Sequence, residues 1–253
     1  MTVNKTPKLD IYGLTDEGLV REHNEDFISW TPESGLVILA DGMGGHNAGE
    51  VASELAVTSI SEALEDVLSP EVKDACDMDF KDVVHEAVIF ANDEINLHAK
   101  THPECSGMGT TIVMALFQKK SVILASVGDS RIYRFRKGEL KQVTTDHSLV
   151  QEMIDNGYMS EEEAQNSTNR NLITRALGIA EEVEVDVNKH RTEKGDIYLL
   201  CSDGLSDMVT DDIIFSTLVK SRDNLKRAGN DLIQLAKENG GHDNVSVILV
   251  ACK

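Results

Sequence analysis

The spacing of the apolar runs constrains this chain most. Short β-prone runs fall at Phe27–Thr31, Leu36–Ala40, Thr110–Phe117, Ser121–Val127, Arg131–Phe135, Gly195–Cys201 and Val245–Ala251. Several follow one another across turns as short as Gln118-Lys119-Lys120 or Lys137-Gly138. A parallel crossover needs about a dozen residues or more, so neighbours this close pair as antiparallel hairpins. Other stretches carry the helical period. Gly49 to Leu68 repeats Ala52, Ala56, Ile60, Ala63, Leu64 and Val67, with Ser69-Pro70 as its stop. Phe80 to Ala99 places Val84, Ala87, Val88, Ala91 and Ile95 on one face. Two further helices are expected over Asp211–Ser221 and Leu225–Asn239, the last closed by Gly240-Gly241. Strands group with strands and helices with helices. That favours an α+β fold, with helices packed on antiparallel sheets, over a doubly wound parallel sheet.

No internal repeat and no Pro- or Ser-rich linker divides the 253 residues, so one domain over 1–253 is expected. Asp146 to Asn171 fits neither class. It is polar with few apolar anchors, and reads as an excursion able to cover a site or as a solvated loop. Asp and Glu number 44 against 24 Lys and Arg, a formal charge of −20. A nucleic-acid footprint or an anionic membrane surface needs clustered cations, so neither is an expected partner. Most of the acidity reads as solvated surface, and a few carboxylates remain to converge on a metal. Cys76, Cys105, Cys201 and Cys252 form no Cys-x-x-Cys pair, and none is followed by five residues and an Arg. A zinc site or a thiolate phosphoryl-transfer loop is therefore unsupported. Met1 to Asp10 has no apolar signal core and no apolar run approaches a membrane span. A soluble protein of a reducing compartment, the cytoplasm, is expected.

Several site motifs fail. Gly44 to Glu50 has glycines at phosphate-loop spacing but no following Lys-Ser/Thr, and Glu50 would repel a phosphate. No Gly-x-Gly-x-x-Gly and no Gly-x-Ser-x-Gly occurs, and His85-Glu86 lacks its second His. What recurs is an Asp beside Gly or Asn at an end of an apolar strand: Asp41-Gly42, Gly128-Asp129, Asp203-Gly204 and Asp243-Asn244. One such Asp is usually a turn former. Four at the ends of buried strands converge in space, and a hard divalent cation relieves their repulsion, since Mg²⁺ and Mn²⁺ take oxygen ligands. Gly42 lets its own carbonyl approach an ion. Upstream, Glu25 and Asp26 add oxygens, and Arg21 adds a guanidinium fork that matches a phosphate.

Arg21-x-x-x-Glu25-Asp26, Asp41-Gly42-Met43-Gly44-Gly45, Gly109-Thr110-Thr111, Gly128-Asp129-Ser130-Arg131, Ser202-Asp203-Gly204-Leu205-x-Asp207 and Asp243-Asn244 occur in this order. The series resembles the metal-dependent (type 2C) Ser/Thr protein phosphatases, the PPM family, from about Tyr12 to Ala251. The Asp41 to His46 run and Ile173 to Gly178 resemble its compact bacterial branch. The resemblance implies a four-layer sandwich, two antiparallel β-sheets flanked by α-helix pairs. It implies that Asp41 bridges two Mn²⁺ or Mg²⁺ ions, that Asp203 and Asp243 complete the first, and that Glu25 and the Gly42 carbonyl hold the second. Asp129, with Asp203, would hold a third and looser ion. Asp26, Asp207 and Asn244 would stand behind these ligands, and Arg21 would grip the substrate phosphate.

The same resemblance implies attack on phosphoserine or phosphothreonine by a water that two ions activate. It also implies a flap at about 146–171, phosphoprotein substrates, a cognate Ser/Thr kinase and a monomer. Many eukaryotic members carry His directly after the Asp-Gly pair; this chain has Met43, and His23 and His46 are the nearby imidazoles. The runner-up function is a non-catalytic phosphoprotein-binding module on the same fold, which would be expected to lose metal carboxylates that this chain keeps. A two-metal phosphodiesterase or nuclease on another fold is disfavoured by the charge.

Overall fold

The computed structural model describes residues 8–45, 48–69, 80–160, 163–164, 167, 169 and 171–253. Pro70, Cys76 and His46 lie outside them. The strands are β1 (Leu9–Asp16), β2 (Asp26–Thr31), β3 (Leu36–Met43), β4 (Gly109–Thr110), β5 (Ile112–Gln118), β6 (Ser121–Val127), β7 (Arg131–Arg136), β8 (Glu139–Gln142), β9 (Asp186–Arg191), β10 (Ile197–Cys201) and β11 (Val245–Cys252). The helices are α1 (Ala48–Glu65), α2 (Phe80–Thr101), α3 (Leu149–Asp155), α4 (Asp203–Ser206), α5 (Asp211–Ser221) and α6 (Leu225–Glu238).

One sheet runs β1-β11-β10-β7-β8, the other β2-β3-β5-β6-β9, with β4 paired to β3. Every strand pairing is antiparallel. Strand side chains alternate between faces, and here both faces are covered. In β3, Val37 and Leu39 pack between the sheets while Ile38 and Ala40 face α1 and α2. In β11, Ile248 and Val250 face the other sheet while Val247 and Leu249 pack with α5 and α6. Phe117 and Tyr198 meet edge to face across the sheets, with ring centroids 5.3 Å apart. The result is the helix–sheet–sheet–helix sandwich.

The strands absent from the sequence expectations, β1, β8 and β9, all lie at sheet edges. Edge strands are half-covered, and β9 (Asp-Val-Asn-Lys-His-Arg) is charged along its length, which blunts edge-to-edge association and erases the apolar run. The expected Thr110–Phe117 strand breaks at Thr111, which leaves the ladder to serve Asp41. The first helix ends at Glu65 rather than Leu68, and Ala63 faces solvent. The expected excursion from Asp146 contains α3, capped by Ser148 Oγ, which accepts from the Gln151 N–H at 3.3 Å. None of α3 is buried.

Leu200 is wholly buried between the sheets, whereas Leu97 on α2 is 56% exposed. Leu200→Ala is expected to cost about 2–5 kcal/mol in urea unfolding, and Leu97→Ala less than about 0.5 kcal/mol. Equal losses would contradict the layer assignment.

Candidate active site

The carboxylates gather where the ends of β2, β3, β6, β10 and β11 come together. Asp26 and Asp41 stand directly opposite each other on β2 and β3. The Asp41 carbonyl accepts from the Thr111 N–H at 2.8 Å and the Thr110 hydroxyl at 2.8 Å. The Asp41 N–H donates to Thr111 Oγ1 at 3.2 Å, and Thr111 Oγ1 lies 2.8 Å from Ser130 Oγ. Two threonines thus fix the backbone from which the Asp41 carboxyl projects. Asp129 follows β6, Asp203 opens α4, and Asp207 caps α4 with its N–H donating to the Asp203 carbonyl at 2.8 Å.

Glu25 is held from three sides. Its N–H donates to Asn244 Oδ1 at 2.8 Å. Its carbonyl accepts from the Gly42 N–H at 3.1 Å and from Ser53 Oγ at 2.6 Å. Its carboxylate meets the Gly49 N–H at the start of α1, a helix terminus that favours negative charge. A Cβ on Gly49 would stand 2.7 Å from the Glu25 carboxyl carbon, and one on Gly42 would strike the Gly49 and Glu25 carbonyls. Asn244 straps the loop before β2, donating from Nδ2 to the carbonyls of Glu17 at 3.1 Å and His23 at 2.9 Å. Arg21 donates from Nη2 to Asp243 Oδ2 at 2.6 Å, half-exposed at the rim.

Burial and mutual repulsion raise these carboxyls together. Asp41 lies well above the ordinary aspartate pKa of 3.8, through burial first and then the charges of Asp26, Asp203, Asp129 and Asp243. Asp203 is raised likewise by burial, then Asp129 and Asp207. Asp26 is pushed up to about 6, chiefly by burial, and Asp129 to about 6 by burial and Asp146. Glu25 is raised, burial outweighing the pull of Arg21. Asp26 Oδ2 accepts from Ser202 Oγ at 2.8 Å, but its buried Oδ1 has no partner.

This donor set suits a hard divalent cation. It is all oxygen and over-rich in negative charge, it has one orphaned carboxylate oxygen, and glycine backbones close around it. Among the described residues, no three of these side chains close on a single point, and Asp243 is turned toward Arg21. Every expected site residue lies in this neighbourhood: Arg21, Glu25, Asp26, Asp41, Gly42, Asp129, Asp203, Asp207, Asp243 and Asn244. Sequence reasoning gave no role to the hydroxyls of Thr110, Thr111, Ser130 and Ser202. Their signal is a small polar residue at the end of an otherwise apolar, buried strand.

A family profile described as protein phosphatase 2C matches residues 20–244. The serine/threonine phosphatase Stp of Listeria welshimeri is 39% identical over 239 residues, covering 93% of each chain. The crystal structure of the Mycobacterium tuberculosis serine/threonine phosphatase PstP/Ppp superposes with a TM-score of 0.87 at 39% identity, covering 97% of this chain and 99% of that one. The catalytic domain of PstP in complex with 2 manganese ions superposes with a TM-score of 0.83 at 39% identity, covering 96% and 97%. The chain belongs to the protein phosphatase 2C family.

The raised carboxyls set a stability profile. An Asp whose folded pKa exceeds its unfolded value holds a proton that the unfolded chain releases, so stability falls as pH rises from about 4 through about 6. Metal binding reverses that loss where the carboxyls are ionised. Mn²⁺ is therefore expected to raise Tm more at about pH 7.5 than at about pH 5. Equal shifts in thermal scans at the two pH values would contradict a carboxylate site.

Proposed function

We propose a division of labour among these residues for a Ser/Thr protein phosphatase. The chain hydrolyses phosphoserine and phosphothreonine esters in proteins, with Mn²⁺ or Mg²⁺ as cofactor. When bound, two divalent ions supply an activated water and neutralise phosphoryl charge. Asp41 would be shared by the two ions, Asp203 and Asp243 would hold one, and Glu25 with the Gly42 carbonyl would hold the other. Asp129, with Asp203, would hold a third and looser ion. Asp26, Asp207 and Asn244 orient these ligands from behind. The observation that carries the reading is the gathering of Asp26 and Asp41, opposite each other on β2 and β3, with Asp203 at the start of α4 and Asp243 beside Arg21, where the strand ends meet.

Arg21 binds the substrate phosphate. Asp243 engages one of its nitrogens, leaving the rest of the planar fork to meet phosphoryl oxygens and the charge that develops on them. Met43 ends β3, where a thioether has no proton to give, so the leaving alkoxide takes its proton from water. His23 is exposed and offers its carbonyl, not its ring, to Asn244.

The segment from about 146 to 171 acts as a flap, and α3, of which no residue is fully buried, supports this. The domain is single, over 1–253. We place the protein in the cytoplasm as a monomer that opposes a cognate Ser/Thr kinase. The free, buried thiols of Cys105, Cys201 and Cys252 support a reducing compartment. Among the described residues, no helix is long and apolar enough to cross a membrane.

Assays on a phosphopeptide and on p-nitrophenyl phosphate, with Mn²⁺ and with EDTA, test this reading. Asp41→Asn and Asp203→Asn are each expected to lose more than about tenfold in turnover at saturating Mn²⁺; either variant at full turnover would refute the two-ion assignment. Asp129→Ala is expected to lower phosphopeptide turnover while calorimetry still shows two tight metal sites. Loss of those sites would place Asp129 in the core pair instead.

His23→Ala is expected to cost less than about tenfold on the phosphopeptide. A hundredfold loss confined to the alkyl ester would make His23 the acid.

A further inference from the structure

His147, at the near root of the excursion, is 6% exposed and grips the turn that carries Asp129. It holds Gly128 twice. The His147 backbone N–H donates to the Gly128 carbonyl at 2.9 Å, and the Gly128 N–H donates to His147 Nδ1 at 3.1 Å. A ring nitrogen that accepts carries no proton, so the proton sits on Nε2, which faces Asp186 Oδ2 at 3.4 Å. Asp186 begins β9 and pairs with Ser126 of β6. The imidazole therefore spans from the backbone just before Asp129 to the neighbouring strand. Gly128 sits at φ 105°, and a Cβ there would stand 2.6 Å from Thr111, the residue that holds Asp41.

The same residue ties the excursion shut at its base. The His147 carbonyl accepts from the Thr174 N–H at 2.8 Å, and the Leu149 N–H donates to the Leu172 carbonyl at 2.8 Å. Ser148 pairs with Ile173 between them. On the strand side, Arg131 clamps Asp146 through Nε at 3.0 and 2.9 Å and Nη2 at 2.6 Å. The chain leaving and re-entering the excursion is thus stitched to itself and to both sides of Asp129.

We propose that His147 is a positioning residue that fixes the Gly128–Asp129 turn and couples it to the docked roots of the excursion. It touches neither substrate nor phosphate. Its effect on turnover rests on the role given above to Asp129, while its effect on the backbone does not.

The variants His147→Asn and His147→Leu separate this from simple packing. Asn presents Oδ1 where Nδ1 stands; Leu fills the space without an acceptor. Hydrogen exchange on the metal-free protein is expected to show the Gly128 amide opening about tenfold faster in the Leu variant. The Leu149 and Thr174 amides are expected to follow it, those of β5 and β11 to stay unchanged, and Asn to restore all three. At saturating Mn²⁺, phosphopeptide kcat is expected to fall about tenfold in Leu and to recover in Asn, with KM unchanged. If Leu does not fold, His147→Gln, whose acceptor sits one bond farther out, takes its place. Unaltered exchange at Gly128, or an Asn variant no better than Leu, would overturn the proposal. Full turnover in Asp129→Ala would remove the role of Asp129 while leaving the exchange result to decide the clamp.

Discussion

Repulsion between carboxylates forced into one place is the constraint to which the rest of this structure answers. Two unit charges about 4 Å apart repel by about 4 kcal/mol at the effective dielectric of a protein surface. A hydrogen bond to a charged group returns only about 1.5–3 kcal/mol. The hydroxyls of Ser202 and Thr111 therefore orient Asp26 and Asp41 without cancelling their charge. A divalent cation does cancel it, and the sandwich is arranged so that protein donors leave that task undone. The unpartnered Oδ1 of Asp26 is the local sign of this. Asp41 and Asp203 are only half-buried, so the approach from solvent stays open.

Holding such a cluster requires backbones closer than side chains allow. Gly42 lies against Gly49 and Glu25, and Gly204 against the Asn244 carbonyl. At these positions even a methyl group would push strand and helix apart. Asn244 then does with one amide what a longer loop does less rigidly. Its oxygen accepts from the Glu25 N–H, and its nitrogen donates to the Glu17 and His23 carbonyls. The loop bearing Arg21 and Glu25 is fixed from the opposite end of the sequence.

The parts legible in the sequence were those written in apolar period. The central strands and the four long helices have both faces or one full stripe buried, so their patterns stand clear of noise. Edge strands β1, β8 and β9 do not, because half of each is wet. The clustered carboxylates stood out in the sequence because Asp-Gly and Asp-Asn at the ends of apolar runs are chemically out of place. The hydroxyl scaffold was not. Thr111 and Ser202 look like ordinary strand-end residues until the fold places them beside Asp41 and Asp26. His147 was hidden in the same way, since its partner Gly128 lies 19 residues away and only the turn geometry brings the two together.

The pairing of β1 with β11 has a consequence for how the molecule comes into being. Arg21 and Asp243 are 222 positions apart, and Asp26 reaches Ser202 across 176. A ribosome releases residues in order, so β1 emerges long before β11, its neighbour in the sheet, exists. Until Cys252 is free, the first sheet lacks its closing strand and α6 lacks part of the surface it covers. Nascent chains of this kind expose one unpaired edge until β11 has emerged, and long-range pairing of this sort is slow. The same topology makes competence an abrupt event: no chain that stops short of β11 owns both halves of the site, so hydrolytic activity cannot precede the arrival of that strand.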